Sequence, residues 1–122
     1  MFDHIGFSVS DFAASRAFYA AALAPLDIKV AMEFGEHAGL GRDGRPQFWI
    51  GAGDKPQSGL HLAFVARNRE EVRAFYAAAL KAGGKGNGEP GLRPNYHPNY
   101  YGAFVIDLNG HNIEAVCHSP EA

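Results

Sequence analysis

The feature that most constrains this chain is an internal repeat. A shift of 57 positions aligns the segment starting at His4 with the one starting at His61, without a gap over 20 residues. Ten of the 20 positions are identical, including the whole run Arg-Ala-Phe-Tyr-Ala-Ala-Ala-Leu. Two helices of similar composition can match by chance, but this match also aligns the histidines that precede them. The repeat therefore predicts two copies of one unit, about residues 1–56 and 57–122, in a single domain.

Each copy has the pattern of a β-α-β-β-β unit. Alternation predicts a first strand at Ile5–Val9 and its equivalent after His61, and Asp11 and Asn68 are suitable helix N-caps. The helices are expected to end near Leu23 and Leu80. The later strands are expected at residues 28–34, 37–40 and 47–50, then 102–108 and 112–116, with a poorly marked strand between 84 and 93. The fold class is α+β: two tandem βαβββ modules form a curved mixed sheet around a pocket, with helices on the outer face.

Composition limits the possible partners. With 122 residues and 47% hydrophobic residues, the chain can bury one core. A net charge of −2 without a basic stripe argues against nucleic acid. No charged leader and no apolar span of about 20 residues is present, so no membrane partner is expected. The single cysteine, Cys117, cannot form an intrachain disulfide and is expected to be a buried, inert thiol. These features predict a cytoplasmic protein.

Three side chains of the repeat pattern suggest a metal site. Strand alternation places His4 and His61 opposite the apolar face of each copy, and Glu114 shares that face in the last strand. Two imidazoles and one carboxylate can bind Fe(II), Mn(II), Ni(II) or Zn(II) and leave positions open for a substrate. Taken alone, each histidine is more often a surface or core residue, and a glutamate can simply pair with an arginine such as Arg16 or Arg73. The repeat-related placement favours a metal site.

These residues resemble a known family. The two βαβββ copies and the ending Asp107-Leu-Asn-Gly-His-Asn-Ile-Glu114 are similar to the vicinal oxygen chelate superfamily and its Asp-Pro-x-Gly-x-x-x-Glu signature, with Leu108 in the place of proline. The superfamily includes glyoxalase I, fosfomycin and bleomycin resistance proteins and extradiol dioxygenases. The resemblance implies metal ligands at His4, His61 and Glu114, a divalent cation that chelates two adjacent substrate oxygens, and modules that pair within or between chains, with a homodimer expected.

One position departs from glyoxalase I. The resemblance implies that glyoxalase I uses four protein ligands. The fourth ligand would lie in the last strand of the first copy, at the position equivalent to Glu114. Pairing the two last strands puts Trp49 there, whereas a longer alignment offers Gln47 on the same face. Tryptophan cannot bind a metal, so Trp49 is expected to be a pocket wall, with ordinary core as the alternative, and this departure disfavours classical glyoxalase I activity. The ligand set is closer to that of fosfomycin resistance enzymes and dioxygenases.

The segment from Arg93 to Tyr101 is dense in polar and aromatic groups and leads into the strand beside Glu114. It is expected to cover the pocket, with Arg93 and Tyr96 lining it beside Trp49 and Gln47. His97, Tyr100 and Tyr101 are the candidate catalytic residues, with His97 as the proton carrier. A loop fixed by prolines and packed through its tyrosines is an equal alternative. The remaining histidines are expected at the surface or at sheet edges: His37, His111 and His118.

The leading functional hypothesis is a metal-dependent enzyme acting on a small bidentate substrate, as a lyase, dioxygenase or small-molecule transferase. A metal-free binding protein similar to the bleomycin resistance proteins is the alternative. A third possibility is a vestigial site in a domain that only assembles with partners.

Overall fold

The computed structural model describes residues 1–121. The first module runs in the order β1 (Ile5–Val9), α1 (Phe12–Leu23), a 3-10 turn (Ala24–Leu26), β2 (Lys29–Phe34), β3 (His37–Gly41) and β4 (Phe48–Ala52). The second module runs in the order β5 (His61–Val65), α2 (Arg69–Lys81), β6 (Lys85–Leu92), β7 (Tyr101–Ile106) and β8 (Asn112–Cys117). The α+β fold with tandem βαβββ modules is thus confirmed, and β6 occupies the poorly marked region.

The helix boundaries follow from local capping. The Asp11 carboxylate accepts from the Ala14 N–H at 3.1 Å, and the Asn68 side chain accepts from the Glu71 N–H at 2.8 Å. These bonds satisfy backbone donors that have no partner inside the helix. Pro25 lies in the 3-10 turn that follows α1, while α2 is followed by Gly83 at a φ of +108°, where glycine is favoured.

The two modules form separate sheets of the same topology. The strand orders are β1-β4-β3-β2 and β5-β8-β7-β6, and the first and last strands of each module pair in parallel. The structure therefore contains two four-stranded mixed sheets, one in each module, in place of one continuous sheet. Gln57 covers the outer edge of β1, since its N–H donates to the Ser8 carbonyl at 3.2 Å and its side chain accepts from the Ser8 N–H at 2.7 Å.

A single core joins the modules. One face of each sheet packs under its helix, and the two helices also contact each other. Phe48 of β4 meets Phe64 of β5 edge to face, with ring centroids 5.3 Å apart. Because the helix-covered faces share this core, the opposite faces, here called the open faces, lie on its outside. Cys117 is buried on the helix-covered side as a free thiol, as expected.

A buried carboxylate connects the modules through the turn before β8. The Tyr19 hydroxyl of α1 donates to Asp107 Oδ2, while Asp107 Oδ1 accepts from the N–H groups of Asn109 and His111 at 2.9 and 2.8 Å. Burial raises the pKa of Tyr19, and the neighbouring Asp107 carboxylate adds to the rise. The Asp-Leu-Asn-Gly-His segment therefore fixes the turn and holds the first module against the second.

His111 corrects one expectation. It was expected at the surface or an edge, but it is fully buried. Its ring packs on Phe7 with centroids 4.4 Å apart, and its Nδ1 accepts from the Leu60 N–H at 3.1 Å. Phe7 lies in β1 and Leu60 lies in the loop between the modules, so both partners are far from His111 in the sequence. Strand alternation alone could not reveal these contacts.

Within residues 1–121, no helix combines the length and apolarity needed to cross a bilayer.

Candidate metal centre

A histidine and a glutamate meet on the open face of the second sheet. Strands β5 and β8 are neighbours, with His61 opposite Asn112 and Ala63 opposite Glu114. This register turns both side chains away from α2. His61 Nε2 lies 2.8 Å from Glu114 Oε1. The Glu114 side chain is 1% exposed and that of His61 is 53% exposed, so solvent reaches the pair from the imidazole side.

Tyr100 completes the surroundings of the carboxylate. Its hydroxyl donates to Glu114 Oε2, so the two carboxylate oxygens have different partners. Burial raises the pKa of the Tyr100 phenol, and the hydrogen bond to Glu114 raises it further. Gly102 makes this contact possible, because a Cβ at that position would lie 3.1 Å from Glu114 Oε2 and 3.2 Å from Tyr100 Cε1.

The third expected ligand does not join this pair within one chain. The His4 side chain is 60% exposed, and its Nδ1 lies 2.7 Å from Asp3 Oδ1. No group of three or more His, Cys, Asp or Glu side chains is arranged to hold a metal ion in the described part of the chain. His4 immediately precedes β1, and strand alternation places it on the face shared by Gly6 and Ser8.

The register identifies the equivalent of Glu114 in the first module. Gly6 pairs with Trp49 in the same way that Ala63 pairs with Glu114, and Gly6 and Ala63 are separated by the 57 positions of the repeat. Trp49 is therefore the structural counterpart of Glu114. Gln47 lies two residues earlier, where it is exposed and lines a mostly apolar groove of about 460 Å³ beside β5.

Most of the predicted covering segment gathers near Glu114. The Arg93 guanidinium lies 5.3 Å from the centre of the Phe104 ring, which in turn lies 6.1 Å from that of His61. Tyr96 and Tyr100 meet edge to face at 5.1 Å. This part of the loop therefore flanks the pair.

His97 and Tyr101 have different surroundings. His97 Nδ1 accepts from the Asn99 N–H at 3.1 Å, and its ring lies 5.5 Å from that of His118, which also contacts Tyr100. Tyr101 instead accepts from Arg73 Nη1 at 3.2 Å, because the next residue along a strand points to the opposite face. Sequence reasoning did not select Phe104 or Gly102, and treated His118 only as a terminal surface residue. Phe104 pairs with Glu114 across β7 and β8, and Gly102 lies two residues earlier on the same face of β7. Strand alternation in β7 could therefore have indicated Phe104 and Gly102.

Comparison with known proteins places this arrangement in a family. A sequence profile described as Glyoxalase/Bleomycin resistance protein/Dioxygenase superfamily matches residues 1–115. The chain belongs to that superfamily. No curated protein sequence matches it significantly.

Solved structures of the superfamily share the fold. A glyoxalase/bleomycin resistance protein from Albidiferax ferrireducens T118 is 28% identical, with a TM-score of 0.84 over 98% of this chain and 99% of that one. A family enzyme from Burkholderia phytofirmans PsJN is 15% identical, with a TM-score of 0.73 over 96% and 98%. The fosfomycin resistance protein FosX from Listeria monocytogenes is 19% identical, with a TM-score of 0.69 over 93% and 89%. At these identities, the last two show likeness of fold alone.

Proposed function

We propose that this protein is a metal-dependent enzyme of the superfamily that chelates adjacent oxygens of a small substrate on a divalent cation. The observation that carries the proposal is the His61–Glu114 pair, with its nitrogen and oxygen 2.8 Å apart on an open sheet face. The two groups are hydrogen-bonded to each other, and both are of types that bind divalent cations. The superfamily membership supports the same conclusion.

The centre is proposed to form between two copies of the chain. Within residues 1–121 of one chain, His4 does not gather with His61 and Glu114 into a group that could hold a metal ion. A second copy that turns its first module toward this second module would supply His4. A homodimer with twofold symmetry would then contain two equivalent centres.

The donor types fit a cation such as Fe(II), Mn(II), Ni(II) or Zn(II). Imidazole nitrogen and carboxylate oxygen are suitable ligands for these metals, and three protein ligands leave positions open. Removal of a carboxylate from water is unfavourable unless it is paired, and Glu114 is almost fully buried. When bound, the cation would supply Lewis-acid polarisation of the substrate oxygens.

The neighbouring residues have separate roles in this proposal. Tyr100 holds Glu114 Oε2, which leaves Oε1 directed toward His61. The Tyr100 phenol serves as a hydrogen-bond donor to this carboxylate, and its burial raises its pKa. Because His97 Nδ1 accepts a backbone N–H, a neutral His97 carries its proton on Nε2 and is the proposed proton carrier. Arg93 would help to bind a substrate bearing negative charge.

Metal-free binding of a small molecule is the competing function. The His61–Glu114 hydrogen bond favours it, since the pair satisfies the carboxylate without a cation. Elemental analysis and calorimetric titration with Zn²⁺ and Mn²⁺ distinguish the two functions. Stoichiometric binding that is lost in Glu114→Gln and kept in Glu36→Gln, an exposed carboxylate in the β2–β3 turn, is expected. Equal binding by the two variants, or none by the wild type, contradicts the enzyme proposal.

A complementation experiment tests the shared centre. His4→Ala and His61→Ala homodimers should each lack intact centres. A mixed dimer should regain one, formed by His61 from the first variant and His4 from the second. Recovery of metal binding after mixing and subunit exchange is the expected result, whereas no recovery in verified mixed dimers would exclude a centre shared in this way.

A further inference from the structure

Two arginines of α2 lie beside the Tyr101 ring. The guanidinium carbons of Arg69 and Arg73 are 5.1 and 5.7 Å from the centre of that ring. The face of an aromatic ring attracts cations. The two arginines are also one turn apart on the helix, so their like charges lie close together, which is unfavourable unless an anion neutralises them. Arg69, Arg73 and Tyr101 are here called the arginine cluster.

A single carboxylate neutralises part of this charge. Arg73 Nη2 donates to Glu121 Oε2 at 2.9 Å. The hydrogen bond from Arg73 and its charge hold the pKa of Glu121 below its ordinary value, and Arg69 adds to this effect only through its charge. The Arg69 Nε is buried and has no hydrogen-bond partner among residues 1–121. Two positive charges therefore face one negative charge, and one guanidinium donor is left unsatisfied.

Tyr101 supplies a further donor. Its hydroxyl oxygen accepts from Arg73 Nη1 at 3.2 Å, so the hydroxyl proton is available to an anion. The backbone of Tyr101 pairs with Cys117 between β7 and β8, which anchors the residue in the sheet. Glu121 follows β8, and its side chain is 51% exposed. The cluster is therefore built on a helix and a strand, whereas the carboxylate that fills it lies on an exposed segment.

We propose that the arginine cluster is an oxyanion site for the phosphate group of a small molecule, and that the Glu121 carboxylate occupies this site until the ligand displaces it. A phosphate monoester carries close to two negative charges and three acceptor oxygens. These match two guanidinium groups and a hydroxyl better than one carboxylate does. A carboxylate attached to the same chain competes at an effective concentration set by the chain. Glu121 therefore sets the ligand concentration at which the site fills.

This site is separate from the proposed metal centre. Tyr100 donates to Glu114 on the open face, whereas Tyr101, the next residue along the chain, points to the opposite face and contacts α2. Phosphate binding is therefore measurable on the metal-free protein, and its outcome does not depend on the proposed enzyme function.

A titration with three small anions tests the charge that the site prefers. Methyl phosphate, methyl sulfate and acetate are added to the metal-free Glu121→Gln variant, and the arginine Nε–H cross-peaks are followed in a ¹H–¹⁵N spectrum at constant ionic strength. At about pH 7, methyl phosphate is mainly a dianion, methyl sulfate is a monoanion of similar shape, and acetate carries the same group as Glu121. We expect methyl phosphate to bind about fivefold or more tightly than the other two. Equal affinities, or Arg69 and Arg73 peaks that do not respond, would overturn the proposal.

Two carboxylate variants test the displacement of Glu121. Relative to the wild type, Glu121→Gln should raise the affinity for methyl phosphate about fivefold, which corresponds to the upper end of the strength of an exposed ion pair. Glu70→Gln removes the same charge from an exposed neighbour of Arg69 and should change the affinity less than about twofold. Equal effects of the two variants would show that only net charge matters, which contradicts displacement of Glu121.

Arginine variants test the cluster itself in the Glu121→Gln background. Arg69→Gln and Arg73→Gln should each weaken methyl phosphate binding about fivefold or more, followed on the peak of the remaining arginine. Arg67→Gln, at an exposed arginine that pairs with Glu71, is the matched control and should keep the affinity. A loss in Arg67→Gln as large as that in Arg69→Gln would reduce the site to general attraction by positive charge. Inorganic phosphate that binds more than about fivefold more tightly than methyl phosphate would contradict a monoester ligand and assign the site to the free ion.

Discussion

The two open faces differ although the two modules share a topology. The same register that puts Glu114 beside His61 in the second module puts Trp49 between two glycines in the first. One face therefore offers a buried carboxylate and a half-exposed imidazole, while the other offers aromatic rings. The two modules therefore keep the same strand pairing, and one repeat-equivalent position puts a carboxylate on one open face and an indole on the other.

The largest expected effect comes from removing the charge that distinguishes the second module. Glu114→Gln keeps the shape of the side chain but replaces an anionic oxygen with a weaker donor, so we expect Zn²⁺ affinity to fall about 100-fold or more. Isothermal titration calorimetry with Zn²⁺ measures this affinity. The same titration of Trp49→Phe should give the wild-type affinity. A loss in Trp49→Phe as large as that in Glu114→Gln would contradict the assignment of separate roles.

Loss of the Tyr100 hydroxyl should have the next largest effect. Tyr100→Phe frees Glu114 Oε2 while keeping the ring, and groups that orient a metal ligand typically contribute 10–100-fold to affinity. We expect about a tenfold loss of Zn²⁺ affinity. Tyr96→Phe is the matched control, since Tyr96 contacts Tyr100 through its ring. An unchanged affinity in Tyr100→Phe would show that the carboxylate needs no such support.

The bond between the modules should contribute to stability. Tyr19→Phe leaves the buried Asp107 Oδ2 without its donor and should lower the free energy of unfolding by about 2 kcal/mol in urea denaturation. Tyr76→Phe, at the equivalent repeat position, should change it less. Because the pKa of Tyr19 is raised on folding, its contribution is complete below the ordinary tyrosine pKa near 10 and declines at higher pH. A difference between wild type and Tyr19→Phe that grows from pH 9 to 11 would contradict this assignment.

The helix caps should have the smallest effect, and an equal one in both modules. Asp11→Ala and Asn68→Ala each remove one side-chain bond to the first turn and should each lower stability by about 1 kcal/mol. Thermal denaturation of the two variants measures the loss of stability in each. A difference of more than about 1 kcal/mol between them would show that the modules do not support their helices equally.

The repeated unit, the helix caps and the sheet faces of His61, Glu114 and Trp49 followed from the sequence alone. Alternation and the 57-residue shift are local properties, so they predicted that His61 and Glu114 share a face and that Trp49 was a candidate equivalent of Glu114. The distance between His61 and Glu114 needed the tertiary structure, because it depends on parallel pairing between residues 53 positions apart.

Only the tertiary structure decided how the modules pack. The helix-covered faces share a core through contacts such as Tyr19 with Asp107 and Phe7 with His111, whose partners are far apart in the chain. No local pattern encodes that packing, which leaves His4 outside the His61–Glu114 pair in the described residues. The repeat fixes which residues are equivalent, since strand period is a property of each segment. Which equivalent residues can meet depends on how two sheets bury their apolar faces, which is a property of the whole chain.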